Sequence, residues 1–190
     1  LMKHKQLRII GGELRGKKLL PIKGQNIRPT ANRVREALFN ILAFHLTGKI
    51  VLDLFAGTGA LGIEALSRGA AFAYFIDNHP EAIRVIRQNL QACGLLQRSK
   101  VIHWDIGANL DCLQGLLPHP GLALMDPPYN RGFVGKTLAN LYQGDVLDQR
   151  AQVAVEHSPS EPISDHMPMF VLTDQRTYGK TLVSFLKYMV

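Results

Sequence analysis

From Lys49 onward, short apolar runs alternate with segments of helical periodicity, and this alternation restricts the possible folds more than any other feature of the sequence. The predicted strands are a first run that ends at Asp53, followed by 71–77, 100–105, 121–126 and 151–156. The predicted helices between them are one that ends at Arg68, one from Pro80 to Gly94, a weaker one that ends near Leu117, and 132–142. Because parallel strands need helix-length crossovers, the pattern predicts an α/β fold of βαβ units around a parallel sheet that is buried on both faces.

The two ends of the chain depart from this alternation. Residues 169–173 and 181–188 are β-rich runs separated by a polar, glycine-containing turn, which predicts a C-terminal antiparallel hairpin. Residues 7–11 and 18–22 predict a second, N-terminal hairpin around a basic, glycine-rich turn. A helix that Thr30 can cap is expected to follow it.

Positive charge is concentrated at the N-terminal end of the chain. Residues 1–36 contain ten basic and two acidic residues, a net charge of +8, whereas the remaining 154 residues carry 12 basic and 13 acidic side chains. We therefore divide the chain into a basic arm, residues 1–30, and an α/β domain, residues 31–190. Such an arm most often contacts a phosphate backbone. A solvated tail is the alternative, and a membrane surface is disfavoured because glycines and Pro21 prevent a single amphipathic helix.

Composition excludes several classes of protein. The 190 residues suffice for one domain, and 46% hydrophobic content suits a core without disulfides or metal. No apolar run approaches the roughly 20 residues of a membrane span, and the first residues lack a signal-peptide pattern, so we expect a soluble cytoplasmic protein. Cys93 and Cys112 form no zinc-binding pattern and the seven histidines are scattered, so no metal site is expected.

A glycine-rich loop follows the first strand of the α/β domain, with the sequence Ala56-Gly57-Thr58-Gly59-Ala60-Leu61-Gly62. Glycines let a ligand approach the backbone, and the helix N-terminus offers N–H groups to a carboxylate or phosphate. The spacing also fits the dinucleotide fingerprint, which alone is a weak indication. Asp53, four residues before the first glycine, would repel a pyrophosphate. The loop therefore suits a ligand with a positively charged amino group, such as S-adenosylmethionine.

Two further aspartates end the next two predicted strands. Asp77 can accept hydrogen bonds from both hydroxyls of a ribose, and NAD-binding proteins use that position similarly, so it supports a nucleoside without choosing between the two ligands. Asp105, after Trp104, is placed to meet an adenine amino group. The alternative is that each aspartate only caps the helix that follows, but the repetition of the pattern favours a ligand site.

The sequence Asp126-Pro127-Pro128-Tyr129 follows an apolar strand, at the end of the sheet where open α/β folds bind ligands. The prolines fix the backbone and leave carbonyls free to accept hydrogen bonds. If the Asp126 carboxylate and the Pro127 carbonyl both accept from the exocyclic amine of a base, its lone pair is aimed at an incoming methyl group. Tyr129 would then stack on a flipped or unpaired base. The alternative is a rigid turn with an aromatic plug.

Taken together, several motifs resemble the bacterial 16S ribosomal RNA guanine-N2 methyltransferase D family. They extend over nearly the whole chain and are Arg8-Ile9-Ile10-Gly11-Gly12, Arg15-Gly16, Arg28-Pro29-Thr30, 35–42, 53–59, 126–129, Val155-Glu156-His157 and Tyr178-Gly179-Lys180-Thr181. The resemblance implies a Rossmann-like class I methyltransferase fold with a seven-stranded, mostly parallel sheet and a C-terminal antiparallel hairpin. It also implies methyl transfer from S-adenosylmethionine to one guanine N2, with a monomer acting on 16S rRNA within the 30S subunit or its assembly intermediate.

The resemblance assigns roles to three sets of residues. The catalytic set is Asp126, Pro127, Pro128 and Tyr129. The cofactor-binding set is Asp53, Phe55, Ala56, Gly57, Thr58, Gly59, Asp77, Asn78, Asp105, Ile106 and Asp126. The RNA-binding set is Lys3, Lys5, Arg8, Arg15, Lys17, Lys18, Arg28, Thr30, Arg33 and Arg35. Glu156 and His157 are expected to be structural or to line the pocket.

Other functions stay open from the residues alone. Tyr129 stands where the family more often has phenylalanine, and tyrosine is common there in adenine-N6 methyltransferases, so adenine in DNA or RNA is the alternative base. Protein glutamine methyltransferases share a Pro-Pro-Tyr sequence, but typically after Asn and behind a helical N-terminal domain. A non-catalytic RNA-binding assembly factor and a nicotinamide oxidoreductase are the remaining alternatives.

Overall fold

The described residues form seven strands and four α-helices in the α/β arrangement that the sequence pattern predicts. The computed structural model describes residues 6–24, 29–163, 167 and 169–189. The helices are α1 (Pro29–Ile41), α2 (Ala60–Ser67), α3 (Pro80–Cys93) and α4 (Phe133–Gln143). The strands are β1 (Ile50–Leu54), β2 (Phe72–Asp77), β3 (Ser99–His103), β4 (Leu122–Met125), β5 (Gln152–His157), β6 (Phe170–Tyr178) and β7 (Thr181–Tyr188). Short 3-10 turns cover Ala43–His45, Leu96–Arg98 and Asp111–Leu113.

The strands form one sheet in the order β3-β2-β1-β4-β5-β7-β6. β1 to β5 pair in parallel, and β7 runs antiparallel to both β5 and β6. The seven-stranded, mostly parallel sheet with a C-terminal hairpin is therefore confirmed. β1 and β4 are neighbours in the sheet. The chain continues from β1 to β2 on one side and from β4 to β5 on the other, so the connections leave β1 and β4 in opposite directions. In open α/β sheets, ligands bind in the crevice at such a point.

Both faces of the sheet are covered, as expected of parallel strands. Val51 of β1 joins an apolar cluster with α1, α2 and α3 on one face, whereas Leu52 and Leu54 join a second cluster with α4 on the other. The alternation of side chains along an extended strand places consecutive residues in opposite clusters. The nearly continuous apolar strands seen in the sequence follow from this two-sided burial.

The described part of the N-terminal arm is packed into the domain. Its hairpin is reduced to a single antiparallel bridge between Arg8 and Lys18, and Leu7 and Leu19 are buried in the cluster that contains α1. The fully buried Glu64 carboxylate on α2 accepts hydrogen bonds from the backbone N–H groups of Ile10 (2.8 Å) and Gly11 (2.7 Å). These bonds fasten the basic hairpin to the helix that follows the glycine-rich loop.

A second set of bonds fastens the hairpin to α3. Asn89, which is buried, accepts from the Leu20 N–H at 2.7 Å and donates to the Leu20 carbonyl at 3.1 Å. Its amide also donates to the Thr58 carbonyl at 2.9 Å, so one side chain joins the hairpin, α3 and the glycine-rich loop.

Three boundary predictions are wrong. The predicted weak helix near Leu117 is reduced to the 3-10 turn at 111–113, because glycines and prolines at 107–121 disfavour a helix. Thr30 lies inside α1, which begins at Pro29, so it does not occupy the capping position. β6 extends to Tyr178, beyond the predicted run of 169–173.

We predict that Gly62→Ala destabilises the protein. A Cβ at Gly62 would lie 2.4 Å from Cε1 of the buried Phe75 ring and 3.0 Å from Oδ2 of Asp53, so either α2 or the Phe75 ring must shift. The expected loss in the free energy of unfolding is about 1–3 kcal/mol, measured by urea denaturation. Gly135→Ala in α4 is the control, because among the described residues its Cβ would meet only Met167 Cε, at 3.8 Å. This substitution should increase the free energy of unfolding by about 0.5–1 kcal/mol. Equal effects of the two substitutions would contradict the packing argument.

Candidate active site

A cavity of about 540 Å³ opens at the carboxyl ends of β1, β2 and β4. Its volume lies in the range of small-molecule sites, which is about 300–1,000 Å³. The wall consists of Ile22, Phe55, Gly57, Asp77, Asn78, His79, Ala82 and the four residues 126–129. The structure thus brings the predicted catalytic sequence and part of the glycine-rich loop into one site, as β1–β4 pairing requires.

The glycine-rich loop is held by the carboxylate of Asp77. Oδ2 accepts from the Gly57 N–H and Oδ1 from the His79 N–H, both at 2.8 Å. Phe55 begins the loop with a φ of 62°, a left-handed conformation that is uncommon outside glycine and that clusters at functional sites. Each Asp77 oxygen has a second lone pair, so the side chain can support the loop and still accept from a ligand.

Asp53 lies beneath the loop, outside the wall of the cavity. Its side chain is only 1% exposed, and Oδ2 accepts from the Gly62 N–H of α2 at 2.8 Å. Burial raises the pKa of Asp53 well above its usual value, the Gly62 bond opposes that rise, and the charges of Asp126 and Asp77 add to it. The rise therefore reflects, beside burial, the negative charge that Asp77 and Asp126 place at this end of the sheet.

A smaller cavity of about 130 Å³ adjoins the first and shares Phe55, Asn78 and Pro128 with it. Its other wall residues are Trp104, Asp105, Ile106, Arg131 and Phe133. The Phe55 and Phe133 rings are 5.4 Å apart between centroids. Asp105 is exposed at the rim, where Oδ1 accepts from the Gly107 N–H at 2.9 Å. Aromatic walls with a carboxylate at the rim suit a flat heterocycle that carries hydrogen-bond donors.

The catalytic sequence forms a turn directly after β4. Asp126 and Pro128 are exposed, Pro127 is buried, and Tyr129 is partly buried. The Tyr129 hydroxyl donates to Oε1 of Glu156 at 2.7 Å and lies 3.1 Å from the Thr181 hydroxyl. Burial raises the pKa of Tyr129, the Thr181 bond opposes this, and the Glu156 carboxylate adds to it, so the phenol stays neutral.

Three predicted cofactor residues shape the loop without lining either cavity. Ala56 and Gly59 are buried, and the Ala56 N–H donates to the Ile76 carbonyl at 3.1 Å. Thr58 accepts at its carbonyl from Asn89.

Sequence reasoning missed Ile22, His79, Arg131 and Phe133 as wall residues. Phe133 and Arg131 follow the catalytic sequence closely, which could have marked them. Ile22 carries no local signal because only the docking of the hairpin on α3 brings it to the site.

The predicted RNA-binding residues are divided between surface and interior. Arg8, Arg15, Lys17, Lys18 and Arg33 are exposed. Arg35 is only 5% exposed, and its guanidinium donates to the Arg8 carbonyl and, at 3.3 Å, to Oδ1 of Asn32. It therefore supports the hairpin from inside, which corrects its placement on an RNA-facing surface. Lys3, Lys5, Arg28 and the side chain of Thr30 lie outside the described residues.

The described part of the chain has neither a membrane-spanning helix nor a metal-binding cluster. None of its helices is both long and apolar enough to cross a membrane. Within the same residues, no group of three or more His, Cys, Asp or Glu side chains is arranged to hold a metal ion.

This sheet order, with an acidic cavity and an Asp-Pro-Pro-Tyr turn at the β1–β4 crevice, defines a Rossmann-like methyltransferase. The solved structure of yhhF from Escherichia coli superposes with a TM-score of 0.86 at 30% identity, over 97% of this chain and 98% of that one. The family described as conserved hypothetical protein 95 matches residues 7–187.

Two curated relatives narrow the class. Ribosomal RNA small subunit methyltransferase D of Escherichia coli K12 is 39% identical over 151 residues, which is 80% of this chain and 74% of that protein. The protein of the same name from Haemophilus influenzae is 33% identical over 83% of this chain and 82% of its own length. The chain belongs to the ribosomal RNA small subunit methyltransferase D family.

The buried Asp53 generates a pH prediction. Because its pKa is raised in the folded state, the wild type loses stability as the pH rises above the ordinary value for Asp, about 3.9. Asp53→Asn keeps an acceptor for the Gly62 N–H and has no charge to bury. The melting temperature of the variant relative to the wild type should therefore increase from about pH 4 to about pH 7. Parallel pH curves for the two proteins would contradict a raised pKa of Asp53 in the folded protein.

Proposed function

We propose that this protein transfers a methyl group from S-adenosylmethionine to the exocyclic N2 amine of a guanine in 16S rRNA. The observation that carries the proposal is the Asp126–Tyr129 turn at the wall of a cavity with two further carboxylates close by. The names of the relatives, ribosomal RNA small subunit methyltransferase D, support rRNA as the substrate. We infer that the protein acts as a cytoplasmic monomer on the 30S subunit or its assembly intermediate.

The charge of the cavity fits this methyl donor. Asp77 and Asp126, which line the cavity, would repel a pyrophosphate and attract a ligand with an ammonium and a sulfonium group. This acidity disfavours a nicotinamide dinucleotide, although the glycine spacing alone allows one. Asp77 and Asn78 would hold the ribose, while Asp105, Ile106 and Phe133 would enclose the adenine. When bound, S-adenosylmethionine supplies an electrophilic methyl group.

The turn supplies what the acceptor amine needs. The Asp126 carboxylate and the Pro127 carbonyl would accept both amine hydrogens and so direct the nitrogen lone pair at the methyl group. Tyr129 would hold the base by stacking, which contributes about 1–3 kcal/mol. The nitrogen–carbon bond forms as the carbon–sulfur bond breaks, and the surplus proton leaves to Asp126 or to water. Positioning provides the rate enhancement, with no covalent enzyme intermediate.

The basic hairpin would bring RNA to the turn. Ile22, at the end of the described hairpin, forms part of the cavity wall, and Lys17 and Lys18 are exposed on the same segment. A base inside a helix must be flipped out to reach such a cavity, and phosphate contacts beside it would hold the displaced strand.

One observation favours a second candidate. A tyrosine at position 129 is also typical of adenine-N6 methyltransferases, whose chemistry needs the same two acceptors. A non-catalytic assembly factor would need neither the exposed Asp126 nor the acidic cavity. The base and the polymer are therefore the points to test.

The test is incubation of the protein with labelled S-adenosylmethionine and three acceptors, followed by nucleoside analysis. The acceptors are unmodified 30S particles, naked 16S rRNA and duplex DNA. Label in N2-methylguanosine from the 30S sample supports the proposal. Label in N6-methyladenine would replace guanine with adenine, and absence of label despite cofactor binding would favour the assembly factor.

We predict that Asp126→Ala abolishes most methyl transfer and weakens cofactor binding far less. The substitution removes one of the two acceptors for the amine, whereas Asp77 and the glycine-rich loop remain. A loss of at least about 100-fold in kcat is expected, as for other single groups that position a reacting atom. Calorimetry with S-adenosylmethionine checks binding, and full activity would remove Asp126 from the chemistry.

We predict that Lys17→Ala with Lys18→Ala weakens RNA binding in a salt-dependent way. Deletion of the arm is unsuitable as a test because Leu7 and Leu19 belong to the core. The slope of log affinity against log salt should decrease by about 0.7–0.9 for each lost phosphate contact. Lys136→Ala, an exposed lysine on α4, is the matched control. An unchanged slope in the double variant would exclude this segment from the RNA interface.

A further inference from the structure

The segment that ends β5 and continues beyond it makes three hydrogen bonds to the end of the catalytic turn. We call residues Glu156–Glu161 the support segment. Glu156 accepts from the Tyr129 hydroxyl at 2.7 Å, and Glu161 accepts from the Asn130 N–H at 2.8 Å. Ser160 donates to the side-chain oxygen of Asn130 at 3.0 Å. The side chain of Tyr129 and both the backbone and the side chain of Asn130 are thus held by one segment.

The support segment is itself anchored in the sheet. His157 is fully buried, and its Nδ1 lies 3.0 Å from the Glu161 carbonyl and 3.1 Å from the Ser158 carbonyl. Because carbonyls only accept, Nδ1 carries the hydrogen, and Nε2 then accepts from the Ser184 hydroxyl of β7 at 2.8 Å. The segment therefore has a fixed path from β5 back to the turn.

The turn needs such support because its last residue has an unfavourable backbone conformation. Asn130 has a φ of 57°, in the left-handed region, which asparagine tolerates better than most residues but which still costs free energy. The hydrogen bond from its N–H to Glu161 and the bond from Ser160 stabilise this conformation. Relaxation of the Asn130 backbone to a more favourable conformation would rotate the peptide group that joins Tyr129 to Asn130.

We propose that the support segment is a positioning element for methyl transfer, with Glu156 fixing the Tyr129 ring and Glu161 fixing the peptide after it. This inference rests on the proposed function, because it assumes that Tyr129 stacks on the acceptor base. Glu156 lies outside the walls of both cavities and is bonded to Tyr129. It therefore acts through Tyr129 and is not a catalytic residue.

The chemistry of Glu156 distinguishes positioning from general packing. Glu156→Gln retains an oxygen that can accept from the Tyr129 hydroxyl, whereas Glu156→Ala retains none. A positioning role predicts that kcat for methyl transfer falls about tenfold in Glu156→Ala and is largely preserved in Glu156→Gln. Cofactor affinity should stay within about twofold in both variants. A tenfold change would correspond to the loss of one hydrogen bond to the cofactor, and Glu156 lies outside the walls of both cavities.

A double-substitution cycle identifies the partner. Tyr129→Phe keeps the ring and removes the hydroxyl. If Glu156 acts through that hydroxyl, Glu156→Ala should have little additional effect on kcat in the Tyr129→Phe background. Additive effects of the two substitutions would overturn the proposed route. Asp174→Asn, which removes an exposed ion pair with Arg176 on β6, is the control and should leave kcat unchanged.

A measurement without turnover separates this inference from the proposed function. Glu161→Ala removes the acceptor for the Asn130 N–H, so hydrogen exchange at Asn130 should become faster than in Asp174→Asn at an equal melting temperature. If the wild type methylates none of the acceptors, the proposed function fails. Hydrogen exchange at Asn130 then still decides whether the support segment holds the turn. Unchanged exchange in Glu161→Ala, or loss of kcat only in proportion to lost folded protein, would overturn the positioning role.

Discussion

β1 pairs in parallel with β2 on one side and with β4 on the other, and the position of each functional group follows from that pairing. The glycine-rich loop follows the end of β1, and the catalytic turn follows the adjacent end of β4. Strand pairing alone therefore places the two in one crevice. Asp53 pairs with Leu124 in register, which places its buried carboxylate two residues before Asp126 on the neighbouring strand. The negative charge of the site is thus a consequence of strand register.

Concentrating carboxylates at one end of a sheet is unfavourable unless donors face them. Here backbone N–H groups do so: Gly62 donates to Asp53, while Gly57 and His79 donate to Asp77. The same bonds give the loop between β1 and α2 its shape. The shape of the loop and the proposed cofactor binding therefore depend on the same atoms. Burial of Asp53 lowers the stability of the fold, and a bound cationic ligand would offset that loss.

The basic hairpin connects proposed RNA binding to the folding of the domain. Glu64 and Asn89 bond its backbone to α2 and α3, and its apolar side chains complete the core beneath. Its exposed lysines are consequently held on a rigid surface beside the cavity that Ile22 helps to form. A flexible tail of the same composition could attract phosphates but could not orient a strand relative to the turn.

Local periodicity was enough to predict the α/β alternation and the C-terminal hairpin, and short motifs were enough to select several residues of the cavity wall. Asp77, Asp126 and Tyr129 could be selected from their positions at predicted strand ends. Three features could be found only in the folded protein: Arg35 is buried under the hairpin, Ile22 reaches the cavity, and Glu156 holds Tyr129. These facts depend on contacts between segments far apart in the chain, and side-chain type alone does not specify which segments will meet. The charge of Arg35 predicts a surface position, and only the packing of α1 against the hairpin places the Arg8 carbonyl beside its guanidinium.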